Sequence, residues 1–316
     1  MKILVTGGAG FIASNITDAY IKLGHKVVVV DNLSSGKKSN VNPHAKFYRA
    51  DVSDAKKIAA IFKEERPSLV NHHAAQIDVR KSVADPMFDA KTNILGAINL
   101  LENCVKFKVK KMIFASSGGV MYGECGKKAP DETKTPMPLS PYGVAKRAVE
   151  LYLDYYSATY NFKYTALRYG NVYGPRQDPH GEAGVVAIFI KRMLAGEPVS
   201  IFGDGEQMRD YVFVGDIVAA NVLALDGGDG EIINIATGRT ESVNSLFAEL
   251  SKISAYTAKP AYKSARRGEL FRSSLSPGKA KKILGWSAKT DFPSGVRKTY
   301  EYFLSQFLKE AGHKKR

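Results

Sequence analysis

Lys2-Ile3-Leu4-Val5-Thr6-Gly7-Gly8-Ala9-Gly10-Phe11-Ile12-Ala13 decides the fold. The apolar run Lys2–Thr6 reads as a buried strand. It enters a glycine-rich turn, and Gly10–Leu23 then reads as a helix, with Gly24 placed to stop it. The turn fits G-x-G-x-x-A at Gly8, Gly10 and Ala13. Glycines there permit a tight turn and close backbone approach to a pyrophosphate. A small third residue lets the helix pack near the strand, and the helix N-terminus favours the anion. Asp31 ends the next apolar strand, Val27–Val30, twenty-one positions beyond Gly10. A carboxylate there accepts hydrogen bonds from an adenosine ribose and repels a 2′-phosphate, which points to NAD rather than NADP.

Outward from this unit, strand and helix signals alternate. Asp54 caps a helix expected to run to about Glu65, where Pro67 breaks it. Phe47–Arg49, Leu69–His72 and Met112–Ala115 read as strands, with a helix over Met87–Phe107. A long helix follows Pro141, and Tyr164–Leu167 is the next strand. Continuous apolar strands in βαβα alternation imply an α/β fold, a Rossmann-type doubly wound parallel sheet covered on both faces. Beyond Gly170, Gly, Pro and polar residues crowd 174–184, 203–205 and 227–230, which predicts a smaller C-terminal α/β substrate lobe. The expected division is 1–169 for the NAD-binding body, with segments near 209–237 returning to it, and 170–316 for the lobe. Gly312–Arg316 reads as a frayed tail.

A hydrophobic content of 44% with 24% charged residues excludes global disorder. No apolar run approaches the roughly 18 residues of a membrane span, and no signal-peptide core follows Met1. Cys104 and Cys125 suit neither a disulfide framework nor a metal motif, so a reducing cytoplasm is expected. The formal charge of +15 admits nucleic acid, an acidic membrane surface or an anionic small substrate. From Lys259 to Arg316, fifteen Lys and Arg face four acids, so +11 of the excess lies in the last fifth of the chain. No basic stretch interleaved with aromatics suggests nucleic acid.

Pro141 suits the first turn of a helix, and Tyr142 and Lys146, four apart, share one face of it. A neighbouring ammonium favours the phenolate, so Tyr142 is expected to have a lowered pKa and to serve as a general base. Met112–Ala115 runs into Ser116-Ser117-Gly118-Gly119, where a serine can bind the substrate hydroxyl whose proton Tyr142 takes. Asp51-Val52 is placed to hold the adenine. Ala74 and Ala75, after His72 and His73, permit close cofactor approach. The two histidines lack a third ligand at suitable spacing and read as packed sheet residues, so no metal is expected.

These features together resemble the extended short-chain dehydrogenase/reductase superfamily and, within it, the UDP-glucose 4-epimerase family. The likeness runs through Gly7-Gly8-Ala9-Gly10-Phe11-Ile12, Asp31-Asn32-Leu33, Lys91-Thr92-Asn93, Ser140-Pro141-Tyr142 and Leu167–Pro175. It continues through Phe202-Gly203-Asp204-Gly205, Arg209-Asp210-Tyr211 and Leu284-Gly285-Trp286. Ala13 stands where the family usually has Gly, and Asn15 where it often has His.

The resemblance implies an isomerase that uses NAD as a recycled redox cofactor on a UDP-hexose, through a transient 4-keto sugar. Ser117 would bind the hydroxyl, with Ser116 as the alternative. Tyr142 would be the base, and Lys146 its partner on the nicotinamide ribose. Gly7, Gly10, Phe11, Ile12, Asp31, Asn32, Asp51, Val52, Ala74, Ala75, Arg80, Asn93, Ser116 and Tyr169 would line the cofactor. Asn171 would meet the diphosphate side, Val185, Val186 and Phe202 the uridine, and Arg209 and Arg266 the diphosphate. Sister dehydratases carry an acid just after the strand serine. Here Gly118-Gly119-Val120-Met121 follows, and Glu124 reads as solvated loop. The residue four beyond the acid of the Arg-x-Gly-acid motif gates the sugar C2 pocket in the family. It is Ser273, four after Glu269, and its small size implies that N-acetylhexosamines are admitted too. The alternatives are epimerisation of UDP-glucuronate and a non-catalytic dinucleotide-binding scaffold that uses its basic lobe on RNA. The helices Met87–Phe107 and Gly143–Tyr160 match the pair that relatives use for a two-fold interface, so a homodimer is expected.

Overall fold

The computed structural model describes residues 1–124, 126, 128–180, 184–266 and 270–313. The first half comprises β1 (Lys2–Thr6), α1 (Phe11–Lys22), β2 (Lys26–Asp31), β3 (Lys46–Arg49), α2 (Ala55–Glu65), β4 (Leu69–His72), α3 (Val79–Ala84), α4 (Pro86–Ala90), α5 (Gly96–Lys106), β5 (Lys111–Ser117), α6 (Pro141–Tyr160) and β6 (Lys163–Tyr169). The second comprises β7 (Asn171–Tyr173), α7 (Val185–Leu194), β8 (Ser200–Phe202), β9 (Met208–Arg209), β10 (Tyr211–Phe213), α8 (Val214–Leu223), β11 (Glu231–Ile235), β12 (Glu241–Ser242), α9 (Val243–Ser254), β13 (Ala261–Lys263), β14 (Arg272–Ser273), α10 (Gly278–Leu284) and α11 (Phe292–His313).

Seven parallel strands form one sheet in the order β3-β2-β1-β4-β5-β6-β11. The order reverses between β1 and β4, and the crevice beyond the strand ends at such a point is where α/β sheets bind ligands. Strand periodicity explains the two-faced core. Ile3 and Val5 pack with Ile16, Tyr20 and Ile217 on one face, and Leu4 packs with Ile58, Phe62, Leu100 and Leu153 on the other. A third apolar cluster joins α7, α9 and α11 through Val186, Phe189, Ile190, Leu246 and Val296.

The boundaries follow local signals. Asp54 accepts the Lys57 N–H at 3.1 Å as the N-cap of α2. Gly24, at φ +81°, lies just past α1. The helix expected over Met87–Phe107 is instead α4, a π-helical turn at Lys91–Leu95, and α5. An apolar stripe cannot reveal that turn, because one extra residue barely disturbs it. Gly312 and His313, expected to be frayed, belong to α11. Residues 314–316 lie outside the described residues.

β11 lies in the main sheet, within the segment expected to return. A later return is an additional finding. Ala280, Leu284 and Trp286 join the cluster around Ile3 and Val5, and the Trp286 indole donates to the Asp216 carbonyl at 2.9 Å.

Candidate dinucleotide and substrate site

Gly7 has φ +70°, and a Cβ there would lie 2.7 Å from the Ala74 nitrogen and 2.9 Å from the His73 carbonyl carbon. The absence of a side chain lets the β1 and β4 exits touch at the switch point. Gly7 donates its N–H to Val30 at 2.8 Å, and Gly10 donates to Gly7 at 2.9 Å, closing the turn before α1. Thr6 ties the same exits. Its hydroxyl accepts the N–H groups of His73 and Ala74 at 3.2 and 3.1 Å, so its proton goes to His72 Nδ1 at 2.7 Å. Sequence reading missed Thr6; its signal was a hydroxyl ending an otherwise apolar strand.

Asp31 is buried. Its two oxygens accept Ala9 N–H at 3.0 Å and Leu33 N–H at 2.8 Å, so it organises the glycine loop and keeps further lone pairs for a ligand. Asn32 donates to Asp51 at 2.8 Å. Burial alone would raise the Asp51 pKa, but hydrogen bonds from Ser53 and Asn32 and the charge of Lys91 hold it below the ordinary value. Val52 is buried against Gly96. Phe11, Ile12, Ala74 and Ala75 are half-buried, and Ala13 is packed in the core under α1. Asn15 donates to Phe11 and Pro175 carbonyls, which ties α1 to the loop after β7.

Two further cofactor candidates lie on the segments that follow β4. Arg80 is exposed on α3. Asn93, in the π-helical turn, spends its amide on both backbone groups of Gln76 and on Asp89, at 2.9–3.0 Å. It shapes the loop leaving β4.

β5 delivers the serines. Ser117 is half-buried, and its hydroxyl lies on the Tyr142 side of the site, where it acts to lower the Tyr142 pKa. Ser116 points the opposite way and donates to the buried Glu150 carboxylate at 2.8 Å. Its proton is therefore committed to Glu150, while its oxygen keeps acceptor lone pairs. Ser140 caps α6 by accepting Gly143 N–H at 3.2 Å. Lys146 Nζ donates to the Ala115 carbonyl at 2.8 Å and lies 5.8 Å from the Tyr142 ring centre.

The electrostatics overturn one expectation. Burial pushes the Tyr142 pKa up to about 12, with Ser117 acting to lower it and Asp89 to raise it. It is not depressed by Lys146, because desolvation of a phenolate outweighs an ammonium already held by a carbonyl. Burial pulls Lys146 down to about 8, against the charges of Asp89 and Glu150.

Sequence reading also missed Glu150 and Arg168. Arg168 grips Glu150 through two bonds of 2.8 and 2.7 Å, and both side chains are almost wholly buried. Tyr169 is buried, accepts from Asn221 Nδ2 at 2.8 Å and stacks on His73.

On the lobe side, Asn171 opens β7, half-buried, and donates its N–H to Asp210 at 2.8 Å. Phe202 and Arg266 come together, with the guanidinium 3.9 Å from the ring centre. Val185 is half-buried, while Val186 is committed to the lobe core at 1% exposure. Arg209 pairs in register with Ser273, and its guanidinium donates to the Met208 carbonyl at 2.9 Å. Ser273 is buried, with its hydroxyl 3.8 Å from where a Gly119 Cβ would stand, so it faces the segment just after Ser117. A Cβ on Gly118 would meet Leu275 at 2.2 Å. Glu124 is exposed yet structural, because it accepts Phe271 and Arg272 N–H at 2.8 and 2.7 Å. Cys125 and Glu269 lie outside the described residues. Among the described residues, no group of three His, Cys, Asp or Glu could hold a metal ion, and no helix is long and apolar enough to cross a membrane.

Residues 3–236 match the NAD dependent epimerase/dehydratase family. The chain is similar to a UDP-glucose 4-epimerase of Thermotoga maritima solved with UDP-glucose. The two are 52% identical with a TM-score of 0.95, covering 97% of this chain and 100% of that one. A Thermus thermophilus UDP-glucose 4-epimerase in complex with NAD is 44% identical, covering 96% and 99%, with a TM-score of 0.92. A UDP-N-acetylglucosamine 4-epimerase from Methanobrevibacter ruminantium is 37% identical, covering 96% and 98%, with a TM-score of 0.91.

Proposed function

Because this chain belongs to the NAD dependent epimerase/dehydratase family, we propose that it inverts C4 of a UDP-hexose, with NAD recycled at each turnover. The observation that carries this is the Ser117, Tyr142 and Lys146 set at the end of β5, beside the Gly7 cradle, with glycines where elimination would need an acid. The cradle fits a dinucleotide: backbone comes within reach at Gly7 and Gly10, and Asp31 closes the ribose end. When bound, NAD supplies the hydride acceptor and donor for C4.

The chain's own residues handle the proton. Ser117 orients the sugar O4 hydroxyl against Tyr142, which takes its proton as the 4-keto sugar forms and returns it afterwards. A Tyr142 pKa of about 12 leaves the free site as a neutral phenol, so its own proton must pass to solvent before Tyr142 can take the O4 proton. A cation brought beside it favours the phenolate. Lys146, at about 8, is mostly charged at pH 7 and adds to that field.

Phe202 with Val185 suits a uracil face, and Arg209 and Arg266 suit the diphosphate as forked donors. Ser273 is a small side chain that faces Gly119, and its size supports UDP-N-acetylhexosamines as substrates as well. The division of labour is a dinucleotide-binding body over 1–169, with returning segments, and a sugar-nucleotide lobe over 170–316. The protein works as a homodimer. Met87, Phe88 and Leu95 beside α5, and Val144, Leu151 and Tyr155 on α6, form an exposed apolar face that a second copy would cover. Cysteine usage, with Cys104 free and buried, supports a reducing cytoplasm.

Tyr142→Phe tests the assignment. It should lower turnover by about 10²–10⁴-fold while NAD, assayed after release from the protein, stays bound. Unchanged turnover would remove Tyr142 from the chemistry.

A further inference from the structure

The sequence reads His73 as a packed sheet residue, and it is half-buried just past β4, but one of its nitrogens is left unexplained. A buried polar chain crosses the sheet face beneath α1 and α8. Asn71 Nδ2 donates to the Tyr20 hydroxyl at 2.7 Å and to Asn221 Oδ1 at 3.0 Å. Asn221 Nδ2 donates to the Tyr169 hydroxyl oxygen at 2.8 Å, and that hydroxyl meets His73 Nε2 at 3.1 Å. The Tyr169 oxygen already accepts, so its own proton needs an acceptor, and His73 Nε2 is the one in reach. Burial and the Lys146 ammonium keep the His73 ring neutral, with a pKa near 3. A neutral imidazole that accepts at Nε2 carries its proton at Nδ1.

That Nδ1 is buried and has no partner among the described residues. A buried donor without an acceptor is unfavourable and rare in folded chains. Its place suggests the missing acceptor. The His73-Ala74 backbone is pressed against Gly7 at the switch point, and the ring lies against Tyr169 with centroids 5.9 Å apart. We propose that His73 Nδ1–H donates to an oxygen of the bound dinucleotide, so that His73 is a cofactor-binding residue held in a single tautomer by Tyr169 and Asn221. This rests on the NAD reading above.

Nitrogen-15 NMR of histidine-labelled protein, with and without NAD, tests it. The chain has only six histidines, and His73→Phe assigns the signal. The expected result is a proton on Nδ1 in both states, with its resonance moving when NAD is added. His73→Phe should bind NAD about tenfold more weakly by titration calorimetry. A proton on Nε2 overturns the proposal. So does an Nδ1 signal that stays put while other resonances respond to NAD, as a bound water in its place would produce. If NAD binds nowhere and moves no resonance, the cofactor reading itself falls and the proposal falls with it.

Discussion

Replacing Glu150 by Gln keeps the shape of the side chain and removes its charge, at a position with no exposed surface. The carboxylate accepts from Ser116 at 2.8 Å, twice from Arg168 at 2.8 and 2.7 Å, and from Arg147 at 3.1 Å. An amide presents an NH2 group where one of those oxygens stood, facing donors. Arg168, itself 2% exposed, would keep the Tyr122 hydroxyl but lose its counter-charge. Breaking one side of a buried ion pair costs about 3–5 kcal/mol. For a chain of this size that is a fall in melting temperature of about 5–8 °C. Replacing both partners, as in Glu150→Leu with Arg168→Met, should recover most of the loss, since an apolar pair of similar volume leaves no orphan charge.

A second readout separates charge from shape. Lys146 is faced by Asp89, Glu150, His72, His73 and Tyr142, and burial already pulls it down to about 8. Removing the Glu150 anion lowers it further. The ammonium is then lost at a lower pH, and the alkaline limb of the rate profile moves to lower pH. Calorimetry together with a pH–rate profile measures both effects. A variant melting within about 2 °C of the parent, with an unmoved alkaline limb, would refute the reasoning.

Gly7→Ala meets both a left-handed backbone, φ +70°, and the Ala74 nitrogen at 2.7 Å. Strain of about 1–3 kcal/mol should appear as NAD binding weakened tenfold or more, read by titration calorimetry. Ser273→Tyr fills the space beside Gly119 and should lower kcat/KM for UDP-N-acetylglucosamine by about 10²-fold while UDP-galactose turnover survives. Parallel loss of both would place Ser273 elsewhere than the C2 pocket. Tyr155→Arg sets a charge in the exposed apolar face of α6 and should give monomers by light scattering, without loss of fold.

What sequence reading recovered was local in the chain. The strand–glycine–helix unit, the Asp54 cap and the Tyr142–Lys146 face each sit within a few turns, so their spacing carries the geometry. Glu150 and Arg168 lie eighteen residues apart and look like ordinary surface charges until β6 runs beside α6. Glu124 finds its partners at Phe271 and Arg272 only because β14 returns to the loop after β5. Ser116 and Ser117 differ only in which side of β5 they face, and a one-residue register choice separates a structural hydroxyl from a candidate catalytic one. The Tyr142 pKa went the other way because its sign depends on how dry the site is, and spacing does not report that.

The most direct test of the central claim is proton NMR of the purified protein with UDP-glucose in heavy water and no added NAD. UDP-galactose should accumulate to equilibrium with hydrogen, not deuterium, at C4, because the hydride stays within the site. Deuterium at C4, or no epimer from any UDP-hexose while NAD remains bound, would contradict NAD-recycled epimerisation.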